Sequence, residues 1–106
     1  KTKEAISHYK TAIELNPDYA EAHSNLGAAL MKKGNTSEAI SQLKKAIEIR
    51  PDYADAYNNL GTAMFKQRMT EEAITYYKEA IRIQPDLAVA RRNLEKALIQ
   101  STTVDF

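Results

Sequence analysis

The chain has 106 residues with a formal net charge of +1, and 43% of its residues are hydrophobic and 27% charged. This balance is typical of a folded globular chain and excludes disorder by composition. Acidic and basic residues are interleaved without a basic stripe, and no apolar run approaches the ~20 residues that span a bilayer. The absence of cysteine excludes disulfides and iron–sulfur clusters. We therefore expect a cytoplasmic protein with no nucleic-acid partner and no membrane partner.

One block of sequence repeats along the chain, as the even spacing of Pro17, Pro51 and Pro85 indicates. Residues 20–53 and 54–87 are identical at 17 of 34 positions, and residues 1–19 match residues 35–53 at 12 of 19. A period of this length predicts a stack of small units, each too small to bury its own apolar face. Such stacks usually bind other chains. Because residues 1–19 match only the second half of a unit, we expect the chain to be a piece of a longer array.

The predicted elements are all helices, because apolar residues recur three and four apart and never alternate as in a strand. In chain order the predicted helices cover residues 3–15, 18–33, 37–49, 52–67, 71–83 and 86–99, each approximately. We divide the chain into a half repeat at 1–19 that holds only a second helix, full units at 20–53 and 54–87, a C-terminal capping helix at 88–100 and a flexible tail at 101–106.

Local residue preferences predict where these helices begin and end. Each of the three prolines is expected just inside the start of a first helix, as proline's fixed φ suits that position. The threonines Thr2, Thr36 and Thr70 are expected to cap the second helices. Gly34 is expected to end its helix in the left-handed conformation, whereas Arg68, one repeat later, must close the same turn without glycine.

Gly27 and Gly61 lie inside predicted helices, where glycine costs about 0.5–1 kcal/mol relative to alanine. This cost predicts that a neighbouring helix approaches closely at each glycine. The same two positions belong to a larger set that recurs in phase from one unit to the next. The set comprises His23/Tyr57, Leu26/Leu60, Gly27/Gly61, Leu30/Met64, Ala39/Ala73, Leu43/Tyr77, Ala46/Ala80 and Pro51/Pro85.

This ordered set resembles the tetratricopeptide repeat, and the resemblance covers nearly the whole chain. His23 departs from the family's bulky aromatic, and Arg91 and Glu95 replace the aromatic and the glycine in the last helix. The resemblance implies an all-α, right-handed α-solenoid of antiparallel helix pairs. It also implies a concave groove lined mainly by the first helix of each pair, and a polar last helix that closes the stack.

Three asparagines, Asn25, Asn59 and Asn93, recur one repeat apart on the predicted groove side. An amide offers a donor and an acceptor, so such a ladder could hold the backbone of an extended peptide. The repeats are similar to those of the O-linked N-acetylglucosamine transferase superhelix, which carries a ladder of this kind. The alternative is a structural role, in which the asparagines cap a local backbone or link adjacent helices.

Side chains around this ladder are predicted to set the specificity for a partner. They are Glu21, Asp55, Ser24, Asn58, Arg92, Thr62, Lys96, Lys32 and Lys66. Some relatives clamp the C-terminal carboxylate of a chaperone peptide between lysine, asparagine and arginine. Arg92, Lys96, Asn59 and Asn93 offer part of such a clamp, but the full pattern is absent.

No motif in the chain predicts catalysis, a cofactor or a metal site. His8 and His23 lie in different half-units, and His23 is expected to pack in the core. We therefore expect a non-catalytic scaffold that binds a peptide or protein in the groove. Two alternatives remain: a fragment of a larger enzyme, and a module that forms homo-oligomers through its ends. The N-terminal helix, at residues 3–15, would form such oligomers through its apolar stripe of Ala5, Ile6, Tyr9, Ala12 and Ile13.

Overall fold

The computed structural model describes residues 1–104 and contains six helices in that range. They are α1 Thr2–Leu15, α2 Ala20–Lys33, α3 Thr36–Ile49, α4 Ala54–Lys66, α5 Thr70–Ile83 and α6 Ala88–Val104. None of these helices has the length and hydropathy needed to cross a lipid bilayer.

Short turns join successive helices, so neighbours in the chain pack as antiparallel pairs. The first helices α2, α4 and α6 also contact one another in a row, whereas α1 contacts only α2 within the described residues. The result is an elongated body of 48 × 27 × 20 Å. The chain is thus an all-α solenoid, as the repeat pattern predicts.

The core lies between the helices of each pair and continues from one pair to the next. Leu43 of α3 is fully buried, and Tyr77 at the equivalent position of α5 is 2% exposed. The glycines make this packing possible, since a Cβ atom on Gly27 would lie 2.6 Å from Cγ of Leu43. A Cβ atom on Gly61 would lie 2.5 Å from the ring of Tyr77. The predicted close approach is therefore confirmed at both glycines.

The first helices begin later than predicted, because each proline belongs to the preceding turn. Pro17 and Asp18 form a turn that closes with the backbone N–H of Tyr19 donating to the carbonyl of Asn16 at 3.1 Å. Tyr19 then precedes the first residue of α2. The φ of proline suits the second position of a turn as well as a helix start, and the turn prevails here.

The predicted threonine caps are also wrong. Thr36 and Thr70 are the first residues of α3 and α5, and the residues before them, Asn35 and Met69, make no side-chain capping hydrogen bond. Thr2 occupies the same position in α1, after Lys1, which makes no capping bond either. A threonine inside the helix lacks the extended backbone that a capping side chain needs.

The turns after α2 and α4 have the same geometry despite their different residues. Gly34 has φ of 95°, and Arg68 has φ of 64°. In both turns the backbone N–H of the following residue donates to a carbonyl of the helix, from Asn35 to Leu30 at 2.8 Å and from Met69 to Met64 at 2.9 Å. Arg68 therefore adopts the left-handed conformation that glycine adopts without steric cost.

The last helix is longer than predicted. It continues to Val104, so the residues 101–104 of the expected tail are helical, and only 105–106 lie outside the described residues. Ser101 helps to explain the extension, because its hydroxyl donates to Glu71 of α5 at 3.1 Å. The hydroxyl of Thr102 donates to the carbonyl of Leu98 within the helix. Such bonds satisfy the polar side chains without interrupting the backbone.

Candidate functional site

The three asparagines of the ladder lie at the same register on α2, α4 and α6. Asn25 is exposed, whereas Asn59 and Asn93 are half-buried. Because α2, α4 and α6 pack side by side, the asparagines form a row across the solenoid. We call the surface around this row the first-helix face, and define it by Glu21, Asn25, Lys32, Asp55, Asn59, Lys66, Arg92, Asn93 and Lys96.

Two of the asparagines also link neighbouring first helices. The amide nitrogen of Asn59 donates to the hydroxyl of Ser24 at 3.5 Å, and that of Asn93 donates to Oδ1 of Asn58 at 3.0 Å. Both bonds join residues 35 apart, so they are one contact repeated in successive units. Within residues 1–104 the side chain of Asn25 makes no such bond. The Oδ1 atoms of Asn59 and Asn93 likewise have no hydrogen-bond donor from that part of the chain.

Ser24 and Asn58, which we predicted to help set partner specificity, are buried between the first helices. Ser24 is 2% exposed and Asn58 7%. Burial is the main reason that the pKa of Tyr53 is raised, and the nearby Ser24 hydroxyl offsets part of that increase. The structure therefore places this pair in the joints between units, behind the first-helix face.

Thr62, another predicted specificity residue, is half-buried and engaged with the partner helix. Its hydroxyl donates to the carbonyl of Asn58 at 3.2 Å and lies 3.1 Å from the hydroxyl of Tyr77. Either hydroxyl can be the donor in the second bond. Burial raises the pKa of Tyr77, and the bond to Thr62 offsets part of that increase.

The remaining predicted residues are charged, exposed and arranged by position along the helices. Glu21 and Asp55 lie in the first turns of α2 and α4. Lys32 and Lys66 lie in the last turns of the same two helices. The first-helix face thus has an acidic edge at the helix N-termini and a basic edge at their C-termini.

Exposed Arg92 and Lys96 add positive charge on α6. Within the described residues, ion pairs join Lys45 to Glu48 on α3 and Glu79 to Arg82 on α5. The charges of the first-helix face are therefore unpaired in this structure. They remain available to a charged ligand.

His23 is buried, at 6% exposure, and its ring is used to hold the start of α2. Nε2 donates to the carbonyl of Pro17 at 2.8 Å, and Nδ1 lies 2.8 Å from Oε1 of Gln42. Arg91 stands at the equivalent position of α6 and makes the corresponding bond, from its Nε to the carbonyl of Pro85 at 2.7 Å. The expected core position of His23 is confirmed. Among the described residues, no group of three or more histidine, aspartate or glutamate side chains is arranged to hold a metal ion.

A pocket of about 990 Å³ lies between the end of α4, the start of α5 and the end of α6, and the sequence did not predict it. Its lining consists of Phe65, Lys66, Arg68, Met69, Thr70, Glu71, Glu72, Gln100 and Ser101. The last two of these residues line it because α6 extends past residue 99. No sequence signal marks that extension, because the chain departs from the repeat pattern there.

Known structures share this fold. The first tetratricopeptide domain of Spaghetti (RPAP3), bound to the HSP90 peptide SRMEEVD, superposes with a TM-score of 0.91 at 24% identity, over 96% of this chain and 81% of that one. The TPR domain of Sgt2 from Aspergillus fumigatus superposes with a TM-score of 0.93 at 24% identity, over 98% of this chain and 70% of that one. The TPR domain of Arabidopsis OM64 superposes with a TM-score of 0.90 at 24% identity, over 93% of this chain and 82% of that one. At these identities the likeness shows the fold alone.

A comparison with curated proteins gives no match. A model of the TPR repeat matches residues 1–34 and 29–67, and a tetratricopeptide repeat model matches residues 54–87. Together these matches cover the helices from α1 to α5 and most of the chain. The chain therefore belongs to the tetratricopeptide repeat family.

Proposed function

We propose that this chain is a non-catalytic protein-interaction scaffold that binds an extended peptide segment of a partner protein on the first-helix face. The observation that carries the proposal is the row of Asn25, Asn59 and Asn93 at intervals of one repeat. The peptide-bound domain of Spaghetti offers a precedent for peptide binding on the same fold. The ladder on the O-linked N-acetylglucosamine transferase superhelix is the arrangement we propose for the three asparagines.

The hydrogen bonds between units support a role in binding as well as in packing. The bonds from Asn59 to Ser24 and from Asn93 to Asn58 each use one N–H of an amide. Each amide keeps its carbonyl oxygen and its second N–H for a ligand. Because the amide is already held, less side-chain entropy is lost when a peptide backbone group binds.

The charges of the first-helix face favour one kind of partner and one orientation. Lys32 and Lys66 attract acidic side chains to one edge, whereas Glu21 and Asp55 repel them from the other. Arg92 then extends the attraction along α6. Charges of this kind mainly set the association rate and the orientation of a ligand. We therefore propose that the peptide carries acidic groups along the side that meets the lysines.

Peptide arrays followed by titration of the captured peptides would test this function. SRMEEVD serves as one probe, with its C-terminal amide as a second, to show whether a free carboxylate is recognised. Asn25→Ala is the most informative change, because Asn25 is exposed and links no helices. We expect it to weaken binding about threefold to tenfold, which corresponds to roughly 0.5–1.5 kcal/mol for one hydrogen bond.

Lys44→Ala on the exposed side of α3 is the matched control and should leave binding unchanged. Arg92→Glu should weaken the capture of acidic peptides and reduce its dependence on salt. If Asn25→Ala and Arg92→Glu both bind captured peptides as the unmodified chain does, the first-helix face is not the binding surface.

Self-association is a second candidate, favoured by the half-exposed apolar stripe of α1. Tyr9 and Ile13 belong to it, and Leu15 at the end of α1 is 83% exposed. Homo-oligomers would give a mass above the 11.9 kDa of one chain in light scattering. That mass should fall to one chain when Tyr9 and Ile13 are replaced by polar residues. A constant mass of one chain across a concentration series would exclude this function.

A further inference from the structure

The side chains of the first-helix face form rows that run across the helices. The middle helix, α4, has a first helix on either side of it. Its stripe on this face consists of Asp55, Asn59, Thr62 and Lys66, which follow one another at intervals of four, three and four residues. Residues at these intervals lie on one side of a helix. The equivalent stripe of α2 consists of Glu21, Asn25, Ala28 and Lys32. On these two helices the face therefore has a carboxylate row, an amide row and a lysine row, each with one member per repeat.

The amide row and the lysine row are far enough apart to contact different parts of one ligand. Asn59 and Lys66 are seven residues apart, which places their Cα atoms about 10.5 Å apart along the helix axis. The surface between the rows is low, because Ala28 is small and the hydroxyl of Thr62 is turned inward to the carbonyl of Asn58. A peptide backbone held at the amide row can therefore extend acidic side chains over this gap to the lysine row.

The distance between neighbouring members of a row equals the distance between first helices. Short side chains join these helices directly, from Asn59 to Ser24 and from Asn93 to Asn58. Such contacts require helices that pack at the usual interaxial distance of about 8–10 Å. Because the same contact is made at both joints, the rows are evenly spaced. A ligand that binds successive asparagines in the same way must repeat itself at intervals of about 8–10 Å.

Polyproline II is the peptide conformation that repeats at this interval. It has three residues per turn and a rise of about 3.1 Å per residue, so every third side chain points the same way after about 9 Å. In a β-strand the side chains on one side are about 6.6 Å apart, and those four residues apart are separated by about 13 Å. An α-helix uses its own backbone N–H and C=O groups and has none to offer an asparagine. Polyproline II makes no internal hydrogen bonds, so its backbone is free to bind the amides.

We propose that the occupant of the first-helix face is a peptide in the polyproline II conformation with an acidic side chain at every third residue. This inference rests on the function proposed above and names the kind of peptide. Each turn of the peptide crosses one repeat, with its backbone at an asparagine and its carboxylate directed to Lys32 or Lys66. On α6 the cation is Lys96, which stands one turn nearer to the amide row. Glu21 and Asp55, on the other side of that row, repel a peptide placed the opposite way.

The experiment compares three labelled peptides of equal length and charge, each titrated against the full 106-residue chain by fluorescence anisotropy. The first consists of four copies of glutamate-alanine-proline, in which proline holds itself and the residue before it near the polyproline II conformation. The second has the same composition but places its glutamates at alternate positions. The third has the spacing of the first with glycine in place of proline, which releases the conformation.

We expect saturable binding of the first peptide. The second should bind about threefold to tenfold more weakly, because fewer of its acids face the lysines at once. The third should also bind more weakly, because its backbone must be ordered on binding. All three results come from the unmodified protein, so no misfolded variant can obscure them. Equal affinities for the first peptide and either of the others, or no binding of the first, would overturn the proposal.

A charge reversal tests the contact with the lysine row. Lys66→Glu should weaken binding of the first peptide, and Lys44→Glu on the exposed side of α3 is the matched control that should not. Replacing one glutamate of the peptide by lysine should restore binding to the Lys66→Glu chain while weakening binding to the unmodified one. Absence of this rescue would contradict the proposed contact.

The outcome is separable from that of the proposed function. Captured peptides that depend on Asn25 but carry no acids at every third residue would overturn this inference and leave the scaffold function intact. Failure of the scaffold function would instead give no capture that depends on Asn25.

Discussion

Gly27 of α2 lies directly against Leu43 of α3, with room for a hydrogen atom but none for a methyl group. A Cβ atom on residue 27 would lie 2.6 Å from Cγ and 2.8 Å from Cδ2 of Leu43, and 3.2 Å from the carbonyl oxygen of Ala39. The same relationship recurs between Gly61 and Tyr77. This contact sets the distance between the two helices of each unit.

We expect Gly27→Ala to lower the free energy of unfolding by about 1–3 kcal/mol, as overpacked cores usually do. The change runs against intrinsic helix propensity, which favours alanine over glycine by about 0.8–1.0 kcal/mol. Urea unfolding followed by circular dichroism would measure the difference. In a Leu43→Ala background the cost should shrink, because the clashing side chain is absent. A stabilising Gly27→Ala would show that the helices separate freely.

Asn93→Ala is expected to destabilise the chain by about 1 kcal/mol, because it removes a 3.0 Å hydrogen bond and leaves the buried Asn58 without that donor. Asn25→Ala should change the free energy of unfolding by less than about 0.5 kcal/mol, as an exposed substitution usually does. Denaturant unfolding of the two variants side by side is the measurement. Equal losses would mean that the hydrogen bonds between first helices contribute little to stability.

Arg68→Gly is expected to stabilise the chain. Arg68 holds φ of 64°, a conformation that costs a non-glycine residue about 1–2 kcal/mol. Glycine removes this cost, but the greater freedom of its unfolded state offsets roughly half of the gain. A net gain of about 0.5–1 kcal/mol would raise the midpoint of thermal unfolding by a few degrees. Arg68→Ala is the control and should change little, because alanine has the same backbone cost. An unchanged midpoint in both variants would indicate that the turn relaxes.

The stability of the chain should fall as pH rises above about 10, the ordinary pKa of tyrosine. Burial raises the pKa of Tyr53 and of Tyr77, so the folded state keeps their protons to higher pH than the unfolded state does. A raised folded-state pKa contributes stability that is fully present below the unfolded-state pKa. That contribution is lost as pH rises through the folded-state pKa.

Tyr77→Phe removes one of these protons and also the hydrogen bond to Thr62. We therefore expect the variant to be less stable at neutral pH, by about 0.5–1.5 kcal/mol, but to lose less stability in alkaline solution. Urea unfolding at several pH values, from neutral to well above the ordinary tyrosine pKa, would measure both effects. Parallel curves for the two proteins would contradict a role for Tyr77 in the alkaline loss.

The repeat period and the spacing of apolar residues were sufficient to predict an all-helical fold of five to six helices and the pairs they form. The glycines were equally informative, because a costly residue inside a helix needs a packing reason and Leu43 supplies it. Residues whose role depends on one fixed partner at a known register are therefore predictable from sequence. Boundaries were harder to predict, since Pro17 and Thr36 are each compatible with two neighbouring positions.

The surface residues were predictable by position but not by environment. The sequence places Ser24 and Asn25 side by side at the groove, yet one is buried in a joint and the other is exposed. That difference depends on which side of each first helix faces the next one, where residues 35 apart come into contact. The repeat period by itself contains no information about that offset. The pocket beside Gln100 was missed for a related reason, because α6 leaves the repeat pattern.

Because each helix of the solenoid touches only its near neighbours, the chain should not open as one block. Within the described residues α1 has a single neighbour, α2, whereas α4 touches four other helices. Amide hydrogens of α1 should therefore exchange with solvent sooner than those of α4, as protection follows the number of contacts that must break. Anything that covers Tyr9 would slow this exchange from the outer end inwards. Protection of the α1 amides would then report whether the surface around Tyr9 is covered.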